Sequence, residues 1–388
     1  MFIPYGKQNI NQADIDAVVR VLNSDFLTQG PQVPLFEKSV AGLVGAKYAF
    51  AMNSATSALH VACLALGLKK GDILWTSPIT FVASANCALY CEADVDFVDI
   101  DPDTYNLSVD ALKAKLEIAK RNNKIPKIVI PVHLCGQPCD MEKIHALSQE
   151  YGFHIIEDAS HAIGGKYKES YIGSNQYADI TIFSFHPVKI VTTAEGGMAL
   201  TNNEALAQRI DLLRSHGVTR SPELMTKPTE GSWYYQQVEL GYNYRMTELQ
   251  AALGVTQLTR LESFVAKRHE IAKKYNELLK DLPLIIPYQL LETYSGLHLY
   301  VIRLKLDKLN KSRKEIFEAL REKGIGVNVH YIPVHTQPYY QQHLGFKQGD
   351  FPEAEAYYES AISLPMYPDL TDSQIIYVCQ TLSELLSD

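Results

Sequence analysis

The chain alternates short β-branched segments with helical stretches, and this alternation limits its possible folds more than any other feature. Strands are predicted at residues 48–52, 72–76, 96–100, 127–132, 154–158 and 178–184. Helical patterns lie between most of these segments. Repeated strand–helix units of this kind predict a parallel or mostly parallel sheet covered by helices. The sequence therefore predicts an α/β architecture.

The last third of the chain has a different pattern. A long helical stretch is predicted from Met246 to about Leu279. After it come predicted strands at 298–304 and 326–331, with a helix at about 312–323 between them. A chain of 388 residues has room for two domains. We predict a large domain at 1–250, and a second part at 251–388 made of the linking helix and a small α+β domain.

Composition and charge exclude several classes of function. The net charge of −8 argues against nonspecific binding to nucleic acid. No apolar stretch approaches the roughly 20 residues that span a bilayer. The first residues lack the basic and then apolar pattern of a secretion signal. These features predict a cytoplasmic protein without a membrane or nucleic-acid partner.

The six cysteines are scattered along the chain and are predicted to be reduced thiols. Cys135 and Cys139 form the one close pair that invites a metal or redox interpretation. They lack a second Cys/His pair at zinc spacing, and their spacing is not that of a redox CxxC motif. We therefore predict no metal site.

Two polar residues follow the last two predicted strands of the α/β region. Asp158 ends an apolar strand, and Lys189 comes shortly after the strand that ends at Ser184. Ligands of α/β sheets bind at the carboxyl ends of such strands. A partly desolvated lysine amine can form an imine, and a buried acid can keep a pyridine nitrogen protonated. Together they predict a pyridoxal 5′-phosphate (PLP) enzyme with Lys189 and Asp158 as its catalytic pair. Considered separately, each has a plainer explanation, a surface lysine and a helix-capping aspartate.

A phosphate site is predicted where the first strand passes into a helix. Small residues at 53–58 let backbone N–H groups approach an anion at a helix N-terminus, here at Ala55 and Thr56. Ser184 is a second candidate donor to the phosphate. An ordinary Ser/Thr helix cap is the alternative explanation of this segment.

Two further residues are candidates for contact with the cofactor ring. Phe81 follows a Pro-Ile-Thr turn, and an aromatic side chain there can lie on the face of a planar cofactor. His161 comes three residues after Asp158 and can hydrogen-bond the phenolic oxygen. A core phenylalanine and a surface or core histidine are the alternatives.

Substrate candidates are distributed along the chain. The aromatic-rich loop at 241–246 contains Asn243 and Arg245, which suit phosphate or carboxylate recognition. Surface or packing roles remain alternatives for each substrate candidate. The substrate candidates are Tyr5, Lys7, Thr28, His186, Arg245, His330, Tyr331 and His335.

The chain resembles the DegT/DnrJ/EryC1/StrS family of sugar aminotransferases over almost its whole length. The resemblance lies in the motifs at 27–30, 53–60, 157–159, 184–189, 195–197 and 241–246. It implies PLP-dependent transferase fold type I, like aspartate aminotransferase, with a mostly parallel seven-stranded sheet in the large domain. It also implies a homodimer with shared active sites, in which Asn243 reaches the PLP phosphate of the partner subunit.

Within this family the chain is most similar to the pseudaminic-acid branch. That similarity lies at 53–56, 77–83, 192–197, 329–334 and 362–365. It implies amination of C4 of UDP-2-acetamido-2,6-dideoxy-β-L-arabino-hex-4-ulose. The chain departs from the family pattern at Cys135, where relatives commonly carry Tyr, and this puts one wall of the pocket in doubt.

The resemblance implies transamination in two half-reactions. L-Glutamate would convert PLP to pyridoxamine 5′-phosphate, the keto sugar would then be aminated, and Lys189 would shuttle the proton. A bacillosamine-type C4 enzyme, a C3 keto-sugar aminotransferase and a cyclitol aminotransferase remain alternatives. A dehydrating deoxygenase is disfavoured because such enzymes carry His at the lysine position. A PLP-binding regulator is also disfavoured, because residues 1–30 are too few for a DNA-binding domain.

Overall fold

The computed structural model describes residues 2–387. Within them the helices are α1 Gln12–Leu22, α2 Gln32–Val44, α3 Ala55–Ala65, α4 Ala83–Tyr90, α5 Val109–Arg121, α6 Met141–Tyr151, α7 Glu204–Arg214, α8 Glu248–Leu258, α9 Leu261–Leu279, α10 Arg313–Glu322, α11 Pro338–Leu344, α12 Pro352–Ser360 and α13 Asp372–Ser387. The strands are β1 Tyr48–Met52, β2 Ile73–Thr76, β3 Asp94–Phe97, β4 Ile128–Ile130, β5 His154–Asp158, β6 Lys166–Tyr167, β7 Ser170–Tyr171, β8 Ile180–Ser184, β9 Gly197–Thr201, β10 Val218–Thr219, β11 Gln236–Gln237, β12 Leu284–Ile285, β13 Thr293–Tyr294, β14 Tyr300–Leu304 and β15 Ala361–Leu364.

Seven strands form the central sheet in the order β1-β9-β8-β5-β4-β2-β3. β9 runs antiparallel to both of its neighbours, β1 and β8, and the other pairings are parallel. This confirms the predicted α/β class and the mostly parallel seven-stranded sheet. The parallel arrangement brings the carboxyl ends of β5 and β8 to the same edge, where a site is expected.

Both faces of this sheet are largely buried, which explains why most residues of its strands are apolar. Successive residues of β5 point to opposite faces: Ile155 and Ile156 belong to separate hydrophobic clusters. Ile155 shares its cluster with Leu112 of α5 and Ile144 of α6. Ile156 shares the other cluster with Leu59 of α3. Helices therefore cover the sheet on both sides and fix the edge where Asp158 ends β5.

A smaller antiparallel sheet, β12-β14-β15, organises the C-terminal part. It has its own hydrophobic cluster, which includes Tyr275 of α9, Ile316 of α10 and Val378 of α13. Ile3 joins this cluster and forms a parallel bridge with Ile325. The α+β prediction for this part is confirmed. The predicted strand at 326–331 is wrong, because the one bridge that these residues form is the isolated bridge of Asn328 with Ser363.

The predicted helix from Met246 to Leu279 is two helices, α8 and α9, separated by a turn at Thr259 and Arg260. The Arg260 guanidinium pairs with Asp14 at the start of α1, and this contact holds the turn. The predicted boundary between residues 250 and 251 falls inside α8, which packs against α1 and α2. The division of the chain into two domains stays a prediction.

Across residues 2–387, none of the helices has both the length and the apolar character that crossing a membrane requires.

Candidate active site

A cavity of about 630 Å³ opens at the carboxyl ends of β5 and β8. Its walls come from the start of α3, the turn before α4, the segment after β8 and residues 328–331 of the C-terminal part. Most of the predicted site residues meet there, although they are far apart in sequence. The predicted residues on its wall are Tyr5, Ala55, Thr56, Phe81, Asp158, His161, Ser184, His186, Lys189, His330 and Tyr331.

Lys189 lies in the turn that follows β8, where its backbone N–H donates to the carbonyl of His186 at 2.9 Å. Burial lowers the pKa of its amine from 10.5 to about 8, although the charge of Asp158 acts in the opposite direction. Burial disfavours the ammonium form because it removes solvating water. A substantial share of the amine is therefore uncharged near neutral pH, as a nucleophilic or basic lysine requires.

The carboxylate of Asp158 is fixed at the end of β5 and is almost fully buried. The Ser84 hydroxyl donates to its Oδ2 at 2.6 Å, and the Ser160 N–H donates to its Oδ1 at 3.1 Å. Both oxygens are thus oriented by the protein. A fixed anion on the cavity wall fits the protonated nitrogen of a pyridine ring.

The start of α3 forms the anion-binding end of the cavity. Ser54 caps this helix by accepting a hydrogen bond from the Ser57 N–H at 3.1 Å, and Ala55 and Thr56 follow on the cavity wall. The N-terminus of a helix of this length attracts phosphate. Gly197 of β9 runs against this turn, where an added Cβ would lie 2.4 Å from the Ala55 nitrogen. The close approach explains why glycine is required there.

His161 is held in one protonation state and one tautomer by its neighbours. Its Nδ1 accepts a hydrogen bond from the Cys135 N–H at 3.2 Å, and its Nε2 lies 3.1 Å from the Tyr331 hydroxyl. Burial, and then the charge of Lys189, lowers the pKa of His161 well below 6.5. The neutral ring must therefore carry its proton on Nε2 and can donate it toward the cavity.

The wall opposite the sheet is aromatic and uncharged. Phe81 is 60% exposed, and its ring centroid lies 6.3 Å from that of Tyr331. His330 Nδ1 lies 2.7 Å from the Ser363 hydroxyl, and burial lowers the pKa of His330 to about 3. Burial also raises the pKa of Tyr331, so its hydroxyl stays protonated. This wall offers neutral hydrogen-bonding groups.

The contacts that three neighbours make at the site could not be identified from the sequence. Ser84 contacts Asp158, but no motif marks it beyond its place one helical turn after Phe81. Cys135 fixes His161 through its backbone. His298 lines the cavity, and its buried Nδ1 has no hydrogen-bond partner among the described residues. The apolar strand pattern that follows His298 gives no sign of this position.

The prediction that His335 contacts substrate is wrong. Its side chain is fully buried away from the cavity, with Nε2 2.9 Å from Oε1 of Glu355. Its ring packs against Phe351 at a centroid distance of 4.8 Å. The Pro-Val-His turn directs this side chain into the core instead of toward a ligand.

Four other predicted residues lie outside the Lys189 cavity of their own chain. Lys7, Thr28 and Asn243 are exposed. Arg245 donates to the Ser215 hydroxyl at 2.9 Å and lines a separate cavity of about 490 Å³. Their predicted contacts with cofactor or substrate stay predictions. Residues 2–387 contain no group of three or more His, Cys, Asp or Glu side chains suited to a metal ion.

The cavity has a suitable partner for the phosphate, the aldehyde carbon and the ring nitrogen of PLP. Its phosphate would be held by the start of α3 and Ser184, its aldehyde carbon by Lys189 and its ring nitrogen by Asp158. The sheet order and the position of the lysine after β8 define the class of the chain as a PLP-dependent enzyme of fold type I. The chain belongs to the DegT/DnrJ/EryC1/StrS aminotransferase family, whose profile matches residues 8–383. It is therefore a sugar aminotransferase that uses PLP.

Several relatives and solved structures resemble the chain over nearly its full length. The spore coat polysaccharide biosynthesis protein SpsC of Bacillus subtilis is 40% identical, covering 99% of this chain and 97% of SpsC. The UDP-4-amino-4,6-dideoxy-N-acetyl-beta-L-altrosamine transaminase of Campylobacter jejuni is 37% identical, with the same coverage. The solved structure of Helicobacter pylori PseC, an aminotransferase of pseudaminic acid biosynthesis, has a TM-score of 0.91, 31% identity and complete coverage of both chains.

Proposed function

We propose that this enzyme transfers an amino group from L-glutamate to C4 of a UDP-4-keto-6-deoxy-N-acetylhexose, as in the pseudaminic-acid pathway. The observation that supports it most is the cavity itself, which places the Lys189 amine opposite a wall of neutral hydrogen-bonding groups. The names of the Campylobacter and Helicobacter relatives support the choice of sugar.

When bound, PLP supplies an electron sink that allows the Cα–H bond of an amino acid to break. Lys189 is the residue placed to take this proton and, in the second half-reaction, to deliver a proton to C4 of the sugar. Its lowered pKa lets the amine accept and release protons near neutral pH. Asp158 would keep the ring nitrogen protonated, and His161 would offer its Nε2 proton to the phenolic oxygen.

The sugar ring would face the wall formed by His330 and Tyr331. Burial keeps His330 uncharged and the Tyr331 hydroxyl protonated, which suits the hydroxyl and acetamido groups of an uncharged hexose. These groups orient a substrate by hydrogen bonds without attracting unrelated ions. The cavity therefore favours a neutral sugar next to Lys189.

The nucleotide end of the substrate requires positive charge that this wall does not supply. Among the described residues lining the cavity, Lys189 is the one lysine or arginine. A diphosphate is best neutralised by Arg or Lys. We therefore propose a homodimer in which the loop with the exposed Asn243 and the half-buried Arg245 completes the site of the partner subunit. A nucleotide-sugar substrate also agrees with a cytoplasmic location, which stays a prediction.

A visible-spectrum titration tests the substrate assignment. The purified enzyme is converted to its pyridoxamine form with L-glutamate, excess donor is removed, and UDP-4-keto sugars of the L-arabino and D-xylo series are added separately. Return of the PLP absorption band with the L-arabino sugar alone supports the proposal. Return with the D-xylo sugar alone assigns the enzyme to the bacillosamine-type reaction, and failure of glutamate to bleach the band rejects the donor.

Subunit mixing tests the shared site. Lys189→Ala and Asn243→Ala should each be inactive as homodimers. A mixed dimer has one site with an intact lysine and an intact asparagine, so reversible unfolding of the mixture should restore about a quarter of the activity. The control is each variant refolded alone. Recovery no greater than in the controls would contradict the shared site.

A further inference from the structure

Two hydroxyl groups behind Asp158 form a buried chain of hydrogen bonds. Thr80 Oγ1 lies 2.8 Å from Ser84 Oγ, and Ser84 Oγ lies 2.6 Å from Asp158 Oδ2. All three side chains are at most 5% exposed. Thr80 lies in the turn before α4, and Ser84 lies in its first turn. Their spacing of four residues brings the two hydroxyls together and aims them at the end of β5.

The direction of each hydrogen bond follows from counting protons. An ionised carboxylate has no proton to give, so Ser84 must donate its single hydroxyl proton to Asp158. Ser84 then has none left for Thr80, and Thr80 must be the donor to Ser84. A hydroxyl that accepts a hydrogen bond becomes a better donor, so the chain is polarised toward Asp158.

From these hydrogen bonds we infer that Ser84, supported by Thr80, is a positioning residue. It keeps the shared proton on the ring nitrogen of the cofactor instead of on Asp158. The inference rests on the proposed function, in which Asp158 pairs with that nitrogen. Hydrogen bonds to a carboxylate favour its charged form. The donor from Ser84 therefore makes Asp158 a weaker competitor for the shared proton, and the Ser160 N–H holds the other oxygen.

Removal of the Ser84 hydroxyl should shift the shared proton toward Asp158. A hydrogen bond to a charged group corresponds to about a 10- to 100-fold change in the ratio in which the two groups share such a proton. The neutral pyridine is a poorer electron sink, so the rate of proton removal from the amino donor should fall about 10- to 100-fold in Ser84→Ala. Substrate binding should change much less, because Ser84 acts through Asp158.

The experiment uses holoenzyme reconstituted with PLP labelled with ¹⁵N in its ring, whose chemical shift reports protonation of that nitrogen directly. The chemical shift of this nitrogen is recorded over a range of pH for wild type, Ser84→Ala and Thr80→Val. In Ser84→Ala we expect the ¹⁵N shift at neutral pH to move toward the value of an unprotonated pyridine, with the ratio of protonated to unprotonated nitrogen falling about 10- to 100-fold, and to move less in Thr80→Val. The conservative variant Ser84→Thr should restore the wild-type value.

Matched controls separate positioning from general destabilisation. Ser148→Ala removes a buried hydroxyl that donates to the His145 carbonyl at 2.8 Å, and Thr76→Val removes one that donates to the Ile130 carbonyl at 2.9 Å. Neither hydroxyl contacts Asp158. These variants should lose comparable stability with no change in the ¹⁵N titration. An equal shift in the controls would overturn the inference, as would an unchanged titration in Ser84→Ala.

Asp158→Asn distinguishes failure of this inference from failure of the function on which it rests. If Asp158→Asn shifts the titration and Ser84→Ala does not, the role of Ser84 is rejected and that of Asp158 stands. If Asp158→Asn itself leaves the nitrogen protonated as in wild type, the pairing of Asp158 with the ring is rejected and the inference falls with it.

Discussion

Lys189 should be far more reactive than an ordinary lysine even before any cofactor binds. Burial lowers the pKa of its amine from 10.5 to about 8. At pH 7 about 9% of such an amine is uncharged, against about 0.03% of an ordinary one. The buried amine therefore presents about 300-fold more of the nucleophilic form, and this advantage disappears above about pH 10.5.

Competitive acetylation of the apoenzyme measures this directly. Trace acetic anhydride is added over a range of pH, and the modified Lys189 peptide is quantified by mass spectrometry. The same lysine in the denatured protein is the reference. We expect labelling to rise about tenfold per pH unit and to level off near pH 8 in the native protein. In the denatured protein, labelling of Lys189 should level off near pH 10.5, the ordinary pKa of a lysine.

The effect of Asp158 on the pKa of Lys189 tests the electrostatic part of this argument. The charge of Asp158 raises the pKa of Lys189 and so partly opposes burial. Asp158→Asn removes this charge, and the midpoint of Lys189 labelling should move below pH 8. A native midpoint near 10.5 would refute the argument from burial. A midpoint that rises in Asp158→Asn would refute the electrostatic part.

Three further predictions concern folding and the cavity wall. Gly197→Ala pushes a Cβ against the start of α3, so PLP affinity should fall about 100-fold by equilibrium dialysis; Gly42→Ala, which adds a Cβ in open space, should not change it. Arg268→Met removes a buried guanidinium that donates to three backbone carbonyls, and urea unfolding should show a loss of about 3 kcal/mol. Tyr331→Phe breaks the contact with His161, and kcat should fall about tenfold with little change in Tm.

The sheet and its catalytic edge could be predicted from the sequence because both depend on local pattern. Apolar β-branched segments ending in Asp158 and Ser184 indicate strands whose ends meet in a parallel sheet. The segment of small and hydroxyl-bearing residues at 53–58 likewise indicates a helix start that binds an anion. In such cases the type of each residue and its place relative to a strand end carry the information.

The remaining features depend on contacts between distant segments. The break between α8 and α9 is held by Arg260 and Asp14, which are far apart in sequence and have no local signature. His335 occupies a turn that looks exposed, but Glu355 from a later helix draws it into the core. Ser84 becomes important through its 2.6 Å contact with Asp158, which only the three-dimensional structure brings about.

The pairing of Ile3 with residues 324–326 has a consequence for synthesis on the ribosome. Ile3 exchanges hydrogen bonds with Gly324 and Gly326 at 2.8 and 2.7 Å, and the Tyr5 carbonyl accepts from the Met366 N–H at 2.9 Å. At a synthesis rate of about 5 to 20 residues per second, residues 324–326 are made roughly 16 to 64 s after Ile3. Because Tyr5 lines the cavity, the active site cannot close during translation, and cofactor capture becomes a late event in the maturation of each chain.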